Sequence, residues 1–284
     1  MLKNIKRFIY RQIKKNFRFF EKHLKVHLLP IRFDSPIPIT YELTSDVFEK
    51  IYACKGIDWN LNEQLDYLST IFPRYQPEFT PRPNTGLSLV DSFVLYAMIR
   101  EKKPKLMIEI GAGESTKISL EALQANKKEG HDCKLYSIDP YPSDYLKEIK
   151  QKNFQLLEKK VQDVDISFFT SADLLFIDST HISKIGSDVN YEILEIIPNL
   201  RPGVLIHWHD IVMPNNYWEY WIRQSNMFWN ESYMVHAFML FNDSFKTIWA
   251  ARYMQLNHSE KIAKQFPQFQ TNHKLSSFWI ERVK

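Results

Sequence analysis

Charged and imidazole side chains stand near the carboxyl ends of several apolar runs of this sequence. They are Glu109, Asp139, Asp178 with His181, and His207 with His209 and Asp210. Where such runs form parallel strands, ligands bind at the carboxyl ends of those strands. Carboxylates placed there can accept hydrogen bonds from hydroxyl groups or hold a cation, and an imidazole can move a proton. We therefore expect these groups to lie along one edge of a sheet and to form a site.

The stretch from Lys105 to Thr116 predicts a strand, a glycine turn and a helix. Leu106–Ile110 is mostly apolar, as expected for a parallel strand that is buried on both faces. Gly111 and Gly113 follow it and are two of only seven glycines in the chain. Glycine permits positive φ angles and close approach of a ligand, and the first turn of a helix offers free N–H groups. The stretch thus predicts a cradle for a ligand.

Strand and helix patterns alternate from residue 88 onwards, which predicts right-handed crossovers and a parallel sheet. The predicted strands are residues 106–110, 134–139, 154–161, 172–178, 204–208, 246–253 and 277–283. We expect the last two to be antiparallel at one edge. The predicted fold class is therefore α/β, with a Rossmann-like doubly wound, mostly parallel sheet, an antiparallel C-terminal edge pair and an N-terminal helical extension.

The N-terminal arm is strongly basic and amphipathic. Residues 1–34 hold ten Lys and Arg against two acidic residues, a net charge of +8, whereas the whole chain carries +4. Apolar residues recur every three or four positions between residues 2 and 29, which predicts one helix with an apolar face. Such a helix suits an anionic membrane surface, or it packs on its own domain or on a second subunit of a homo-oligomer. No second basic cluster supports a nucleic-acid partner.

The chain divides into three predicted regions: a basic amphipathic helix at 1–29, a linker and helical cap at 30–87, and the sheet domain at 88–284. A hydrophobic content of 44% predicts a packed globule. Cys54 and Cys133 are far apart, which fits structural thiols in a reducing cytoplasm. No apolar run has the length of a membrane span, and we expect no signal peptide. We expect a cytoplasmic protein, peripheral on the inner membrane face if its helix meets lipid.

Four segments resemble the class I S-adenosylmethionine-dependent methyltransferases over about residues 88–283. The segments are Glu109–Gly113, Ser137–Asp139, Ala172–Asp178 and Leu200–Gly203. The resemblance implies S-adenosylmethionine as cofactor. It places the backbone of Gly111 and Gly113 near the methionine part, Asp139 on the ribose and Gln162–Asp163 near the adenine.

Glu109 and Ser115 complete the implied cofactor loop. Glu109 is expected to hold the loop by accepting hydrogen bonds from backbone N–H groups. Ser115 stands where the family commonly has a third glycine. Dinucleotide-binding loops follow the pattern G-x-G-x-x-G, and Thr116 stands at its last position, which disfavours NAD and a dehydrogenase.

The tips of the fourth and fifth predicted strands resemble those of metal-dependent sugar and catechol O-methyltransferases. Asp178 matches the acidic residue of strand four, and His209 and Asp210 occupy the place of an acidic or amide pair. The resemblance implies a divalent cation on these three residues. Magnesium prefers oxygen ligands, so the imidazole shifts the preference towards manganese, iron or zinc. His181 matches the general base of sugar methyltransferases, so Asp178 and His181 are the expected catalytic residues.

The resulting hypothesis is O-methylation of a sugar or glycan intermediate at the cytoplasmic membrane face, with a small-molecule or glycan acceptor. Two alternatives stay open. The enzyme can act without a metal on a small molecule or lipid, or the chain can be a non-catalytic, membrane-associated scaffold that keeps the cofactor fold. Simpler roles also exist for three residues: His207 can pack inward, His209 can bond a backbone carbonyl and Asp210 can cap the following helix.

Overall fold

The computed structural model describes residues 2–82, 86–270 and 273–284. These residues form two compact units. One contains the N-terminal arm up to Phe48 together with Trp218–Phe228, and the other contains Glu49–Tyr217 and Trp229–Lys284. The boundary at Phe48 falls inside the region 30–87 that we predicted as linker and cap. Most of that cap therefore shares a unit with the sheet.

The larger unit is built on one seven-stranded sheet. Its strands are β1 (Leu106–Ile110), β2 (Lys134–Ile138), β3 (Phe154–Leu157), β4 (Leu174–Ile177), β5 (Leu205–Trp208), β6 (Phe245–Ala250) and β7 (Phe278–Arg282). They lie in the order β3-β2-β1-β4-β5-β7-β6. The first five strands pair in parallel, and β7 pairs antiparallel with both β5 and β6. The predicted fold class, a mostly parallel Rossmann-like sheet with an antiparallel C-terminal edge pair, is confirmed.

The α-helices are numbered along the whole chain. They are α1 (Leu2–Lys15), α2 (Phe17–Phe19), α3 (Ser45–Glu49), α4 (Leu61–Asp66), α5 (Phe72–Tyr75), α6 (Leu89–Lys102), α7 (Glu114–Lys128), α8 (Asp144–Lys147), α9 (Asp188–Tyr191), α10 (Ile197–Asn199), α11 (Glu219–Arg223), α12 (Glu231–Met239) and α13 (Ala251–Gln265). Three π-helical turns extend α2, α4 and α9, at Phe20–Leu24, Tyr67–Ile71 and Glu192–Ile196.

Two apolar clusters lie on opposite faces of the sheet. Along β1, the buried Met107 belongs to one cluster and the buried Ile108 to the other, as the two-residue period of a strand requires. Helices α6, α7 and α13 contribute to the first cluster, and α12 contributes Val235 and Met239 to the second. Because both faces are covered, the strands are nearly continuous apolar runs. Polar groups at the ends of the strands are therefore easy to recognise in the sequence.

The N-terminal helix is shorter than predicted. Helices α1 and α2 and the adjoining π-helical turn end at Leu24 rather than at residue 29. The reason is that Lys25 adopts the left-handed conformation, with φ of 55°, which stops a helix. The chain then turns back, so that the His27 ring stacks on Phe17 with 5.2 Å between centroids. Among the described residues, no helix combines the length and apolar character needed to cross a bilayer.

The C-terminal part differs from the prediction at one element. Strand β6 ends at Ala250 rather than at residue 253, and the chain continues as α13. Most side chains of this helix are polar, so its helical period is weak in the sequence. Met254 and Ile262 are nevertheless fully buried in the first cluster. Tertiary packing therefore stabilises a helix that the sequence pattern did not reveal.

Candidate active site at the ends of the parallel strands

The strand register brings predicted site residues to one edge of the sheet. Ile110 at the end of β1 pairs with Ile138 of β2 and with Ile177 of β4. The three strands therefore end level with one another. The residues that follow them, and that adjoin at this edge, are Gly111, Asp139 and Asp178.

The two glycines of the turn have different roles. Gly111 has φ of 84°, and a Cβ atom built there would collide with the backbone carbonyl oxygen of Asp178. Gly111 is thus required by backbone conformation and by the close approach of β4. Gly113 is extended, with φ of −163°, and a Cβ atom there would meet no atom within 4 Å. The space beside Gly113 is therefore free to receive a ligand.

Glu109 supports the glycine turn from within the protein. Its fully buried carboxylate accepts hydrogen bonds from the hydroxyls of Ser115 at 2.8 Å, Thr116 at 2.7 Å and Ser137. The predicted backbone N–H partners are wrong, because three hydroxyls from α7 and β2 occupy the carboxylate instead. Burial raises the pKa of Glu109 to about 7, although these hydroxyl hydrogen bonds act to lower it. Glu109 and Ser115 therefore shape the cradle without lining the cavity beside it.

Asp139 joins the end of β2 to the glycine turn. Its Oδ2 atom accepts a hydrogen bond from the Ala112 N–H at 3.0 Å, and its Oδ1 atom accepts one from the Tyr141 N–H at 2.7 Å. The carboxylate therefore has a local capping role. Each carboxylate oxygen has two lone pairs, so this role leaves capacity for hydroxyl groups of a ligand.

A cavity of about 430 Å³ lies against the cradle. This volume is within the usual range for a small-molecule site. Its lining includes Gly111, Asp139, Gln162 and Asp178. Asp163, which we predicted near the adenine, is exposed and lies outside the lining. The cause is local, because the turn at Val161–Asp163 buries Val161 and leaves its last residue in solvent.

An acid–imidazole cluster stands at the ends of β4 and β5. Asp178, His181 and Asp210 each offer one ligand atom, and these atoms lie within 4.8 Å of one another. The Nε2 atom of His181 is 3.3 Å from Asp178 Oδ1 and 3.6 Å from Asp210 Oδ2. The Nδ1 atom of His209 is 3.7 Å from Asp178 Oδ1 and 3.3 Å from Asp210 Oδ1. The structure therefore brings together all four residues that we predicted for metal binding and catalysis.

Two members of this cluster have an unusual backbone. His181 has φ of 59° and Asp210 has φ of 56°. Residues other than glycine rarely adopt this left-handed conformation, and where it persists the surrounding structure must hold it. Such positions are concentrated at functional sites, which agrees with the placement of both residues in the acid–imidazole cluster.

The cluster compensates its buried charges internally. Burial lowers the pKa of His181, but hydrogen bonds to Asp178 and Glu231 outweigh it and hold the pKa well above its ordinary value. For His209, burial is likewise outweighed by the charges of Asp210 and Asp178, which raises the pKa to about 9. Burial raises the pKa of Asp210, yet His209 lowers it to a net value below the ordinary one. The carboxylates thus attract positive charge, which a proton or a metal ion can supply.

His207 is not part of the cluster. Its ring is buried between the rings of Phe176 and Trp279, with distances between ring centroids of 4.4 Å and 4.5 Å. Burial and the nearby His209 hold its pKa well below the ordinary value. His207 therefore packs inward as a neutral side chain. The simpler roles considered for His209 and Asp210 are not observed among the described residues, since His209 faces two carboxylates and Asp210 accepts from the Ser276 hydroxyl at 3.0 Å.

Sequence reasoning missed Glu231, the first residue of α12. Its Oε2 atom lies 2.7 Å from Nδ1 of His181, and the carboxylate is fully buried. In the sequence, an Asn–Glu pair at a predicted helix start indicates only capping. The centroid of the Trp229 ring also lies 4.5 Å from that of the His181 ring. Neither contact is visible without the three-dimensional structure.

A family model and a relative of known sequence match parts of this chain. Residues 108–211 match the family model described as "Methyltransferase domain". An uncharacterised protein of Archaeoglobus fulgidus is 34% identical over 165 residues, which is 51% of this chain and 73% of that protein. The range of the family match runs from β1 to just beyond Asp210, so it spans both the cradle and the acid–imidazole cluster.

Two solved structures are similar at low sequence identity. The O-methyltransferase TomG from Streptomyces achromogenes, involved in tomaymycin synthesis and solved with SAM, is 11% identical, with a TM-score of 0.47 over 77% of this chain and 90% of that one. The SAH-bound methyltransferase PaMTH1 of Podospora anserina is 14% identical, with a TM-score of 0.43 over 91% of this chain and all of that one.

The family match identifies residues 108–211 as a methyltransferase domain, which contains the glycine cradle and the acid–imidazole cluster. Its sheet is the mostly parallel, Rossmann-like one described above.

Proposed function

We propose that this protein transfers a methyl group from S-adenosylmethionine to a hydroxyl oxygen of a sugar or glycan intermediate. One observation carries the proposal. Asp178 lines the cavity beside the glycine turn and is also a member of the acid–imidazole cluster. The cofactor site and the chemical groups for an acceptor therefore share a boundary residue, which is what direct transfer between two bound molecules requires.

The residues that would hold the cofactor fit it. Gly111 lines the cavity and the open space beside Gly113 leaves room for the methionine part. Asp139 has hydrogen-bonding capacity for ribose hydroxyls, and Gln162 stands further along the cavity. When bound, S-adenosylmethionine supplies a methyl group on a sulfonium centre. The task left to the chain is to orient an acceptor oxygen and remove its proton.

His181 is the proposed general base, in the neutral form that a cation on Asp178 and Asp210 would favour by compensating the charge of those two carboxylates. Its Nε2 atom faces Asp178 and Asp210, and its ring adjoins the half-buried Trp229, so it stands where an acceptor can approach. Asp178, Asp210 and Nδ1 of His209 would hold a divalent cation. Such an ion would make an acceptor hydroxyl easier to deprotonate. With one imidazole among the ligands, manganese, iron or zinc fit the set better than magnesium does.

The N-terminal arm supports a location at an anionic membrane face. Ten basic residues lie within residues 1–34, and large apolar side chains of the helix are exposed to about one half: Ile5, Phe8, Ile9, Phe19 and Leu24. A helix of this kind binds in the interface through buried apolar area and attraction to anionic lipid. We propose peripheral attachment through this arm, on the side of the membrane where sugar intermediates are assembled.

Vesicle binding by the full chain tests the membrane proposal. We expect sedimentation with phosphatidylglycerol vesicles and little with phosphatidylcholine. Reversing Lys14 and Lys15 to Glu should weaken binding by about 1 kcal/mol per basic residue. Lys127 and Lys128, the matching pair in the last turn of α7, provide the control. Equal losses for the two pairs would contradict the proposal, and concentration-dependent dimerisation lost only in the first variant would support the packing alternative.

The methyl-transfer proposal is tested in two steps. Calorimetric titration should first show one molecule of S-adenosylhomocysteine bound per chain. Transfer of a labelled methyl group is then measured against a panel of sugar nucleotides and lipid-linked sugars, with and without a chelator. Activity lost on chelation and restored by manganese supports the metal-dependent reaction. Activity that survives chelation would show that the reaction needs no metal. Cofactor binding with no transfer to any acceptor would favour the non-catalytic scaffold.

A further inference from the structure

We propose that Glu231 is a positioning residue that fixes the orientation and protonation pattern of the His181 ring. The inference rests on the proposed function, in which His181 acts on the acceptor. Glu231 lies fifty positions along the chain from His181, at the start of α12. Its Oε2 atom is 2.7 Å from Nδ1 of His181, and both side chains are buried. This contact joins the loop after β4 to a separate helix.

The backbone around this contact holds the loop in place. The N–H groups of Asn230 and Glu231 both donate to the carbonyl oxygen of His181, at 3.0 and 3.2 Å. The Asn230 side chain bonds both the N–H and the carbonyl of Ser183, at 2.6 and 3.2 Å. The strained φ of His181 is therefore held by contacts on both sides of the residue. The start of α12 thus fixes the backbone and the ring of His181 together.

The contact at Nδ1 decides what Nε2 can do. An ionised carboxylate only accepts hydrogen bonds, so Nδ1 carries the proton that lies between the two groups. In the neutral ring, the free lone pair is then on Nε2, which faces Asp178 and Asp210. A base or a metal ligand needs that lone pair directed into the site. A carboxylate behind a histidine commonly has this orienting role.

A second observation separates this role from simple packing. The other oxygen of Glu231, Oε1, is buried and has no hydrogen-bond partner among the described residues. A buried carboxylate that is only half satisfied is costly to the fold. Hydrogen bonds to both carboxylate oxygens are therefore not what keeps Glu231 in this buried position. Within the part of the chain that the structure describes, its side-chain hydrogen bond is with Nδ1 of His181.

Proton magnetic resonance of the full chain labelled with ¹⁵N-histidine tests the proposal directly. A proton held between Nδ1 and a buried carboxylate should give a slowly exchanging, low-field signal coupled to ¹⁵N, whether or not Nε2 is protonated. We expect this signal in the wild type and its loss in His181→Asn, which assigns it. It should disappear in Glu231→Leu, which has no acceptor, and move upfield in Glu231→Gln, whose amide is a weaker acceptor.

Glu192→Gln is the matched control. Glu192 is also fully buried, but its side-chain hydrogen bond is with the Ser179 hydroxyl at 3.3 Å. The signal should persist in this variant, because Glu192 acts on His181 through its charge and makes no hydrogen bond to that ring among the described residues. A wild type without the signal, or a signal unmoved in Glu231→Leu, would overturn the proposal. If Glu231→Leu does not fold, an unmoved signal in Glu231→Gln would overturn it equally.

Calorimetry with S-adenosylhomocysteine keeps this inference separate from the proposed function. The signal depends only on the His181–Glu231 pair, whereas binding of S-adenosylhomocysteine depends on the cradle. We expect the Glu231 variants to bind S-adenosylhomocysteine as the wild type does. A wild type that shows the signal but binds no S-adenosylhomocysteine would contradict the methyltransferase function and leave the role of Glu231 in orienting His181 intact.

Discussion

The glycine cradle and the acid–imidazole cluster share one sheet edge but are stabilised in different ways. In the cradle, Glu109 accepts hydrogen bonds mostly from residues close in sequence, and the one position with positive φ is a glycine, which adopts it without strain. In the cluster, the strained positions are His181 and Asp210, and the contacting groups come from β4, β5 and α12. The cradle is thus a local backbone feature. The cluster depends on long-range contacts and on mutual compensation of buried charge.

Gly111→Ala should have the largest effect, because the new Cβ would collide with the Asp178 carbonyl and φ is positive. The strained φ alone costs about 1–3 kcal/mol, and the collision adds to it. We expect a large fall in melting temperature and loss of S-adenosylhomocysteine binding. Gly130→Ala is the control, since Gly130 has a similar φ of 88° in open space. Equal destabilisation by both variants would refute the close approach.

His181→Asn should affect the cluster without affecting the cradle. Loss of a general base lowers turnover by about 10²–10⁴-fold. S-adenosylhomocysteine affinity should stay close to that of the wild type, because His181 is absent from the cavity lining. Turnover is measured with the best acceptor of the panel, and the exposed His131→Asn serves as control. A turnover equal to that of the control would remove His181 from the mechanism.

Glu231→Gln should reduce turnover by roughly 10–100-fold, as expected for a residue that orients a histidine from behind. The Michaelis constants for both substrates should change little, because Glu231 lies outside the cavity lining. Initial rates over a range of both substrates separate the two parameters. A fall in melting temperature with unchanged turnover would mean that Glu231 only stabilises the fold.

Gly113→Ala should have the smallest effect and provides the sharpest contrast with Gly111. The extended φ of −163° suits any residue, so stability should be unchanged. The new methyl group would project into space that we assign to the cofactor, and we expect S-adenosylhomocysteine to bind about tenfold more weakly, about 1.4 kcal/mol. Calorimetry measures this change. Wild-type affinity would show that the cofactor does not approach Gly113.

The cradle could be predicted from sequence because its signal is local. The apolar run of β1, the two glycines and Asp139 stand in fixed order along the chain. The cluster could be predicted only in part, because Glu231 reaches His181 across fifty positions and its sequence context indicates a helix start. The structure also differs from the prediction at Lys25, where the N-terminal helix ends early, and in α13, which was predicted as the end of a strand. A left-handed residue and a polar helix stabilised by tertiary packing leave no periodic pattern.

Titration of the wild-type chain with S-adenosylhomocysteine, in competition with NAD, tests the central claim most directly. The cradle carries Thr116 at the last position of the dinucleotide pattern and leaves open space at Gly113. We predict saturable binding of one S-adenosylhomocysteine per chain that NAD does not displace. No binding of S-adenosylhomocysteine, or its displacement by NAD, would contradict the assignment of this site to a methyltransferase.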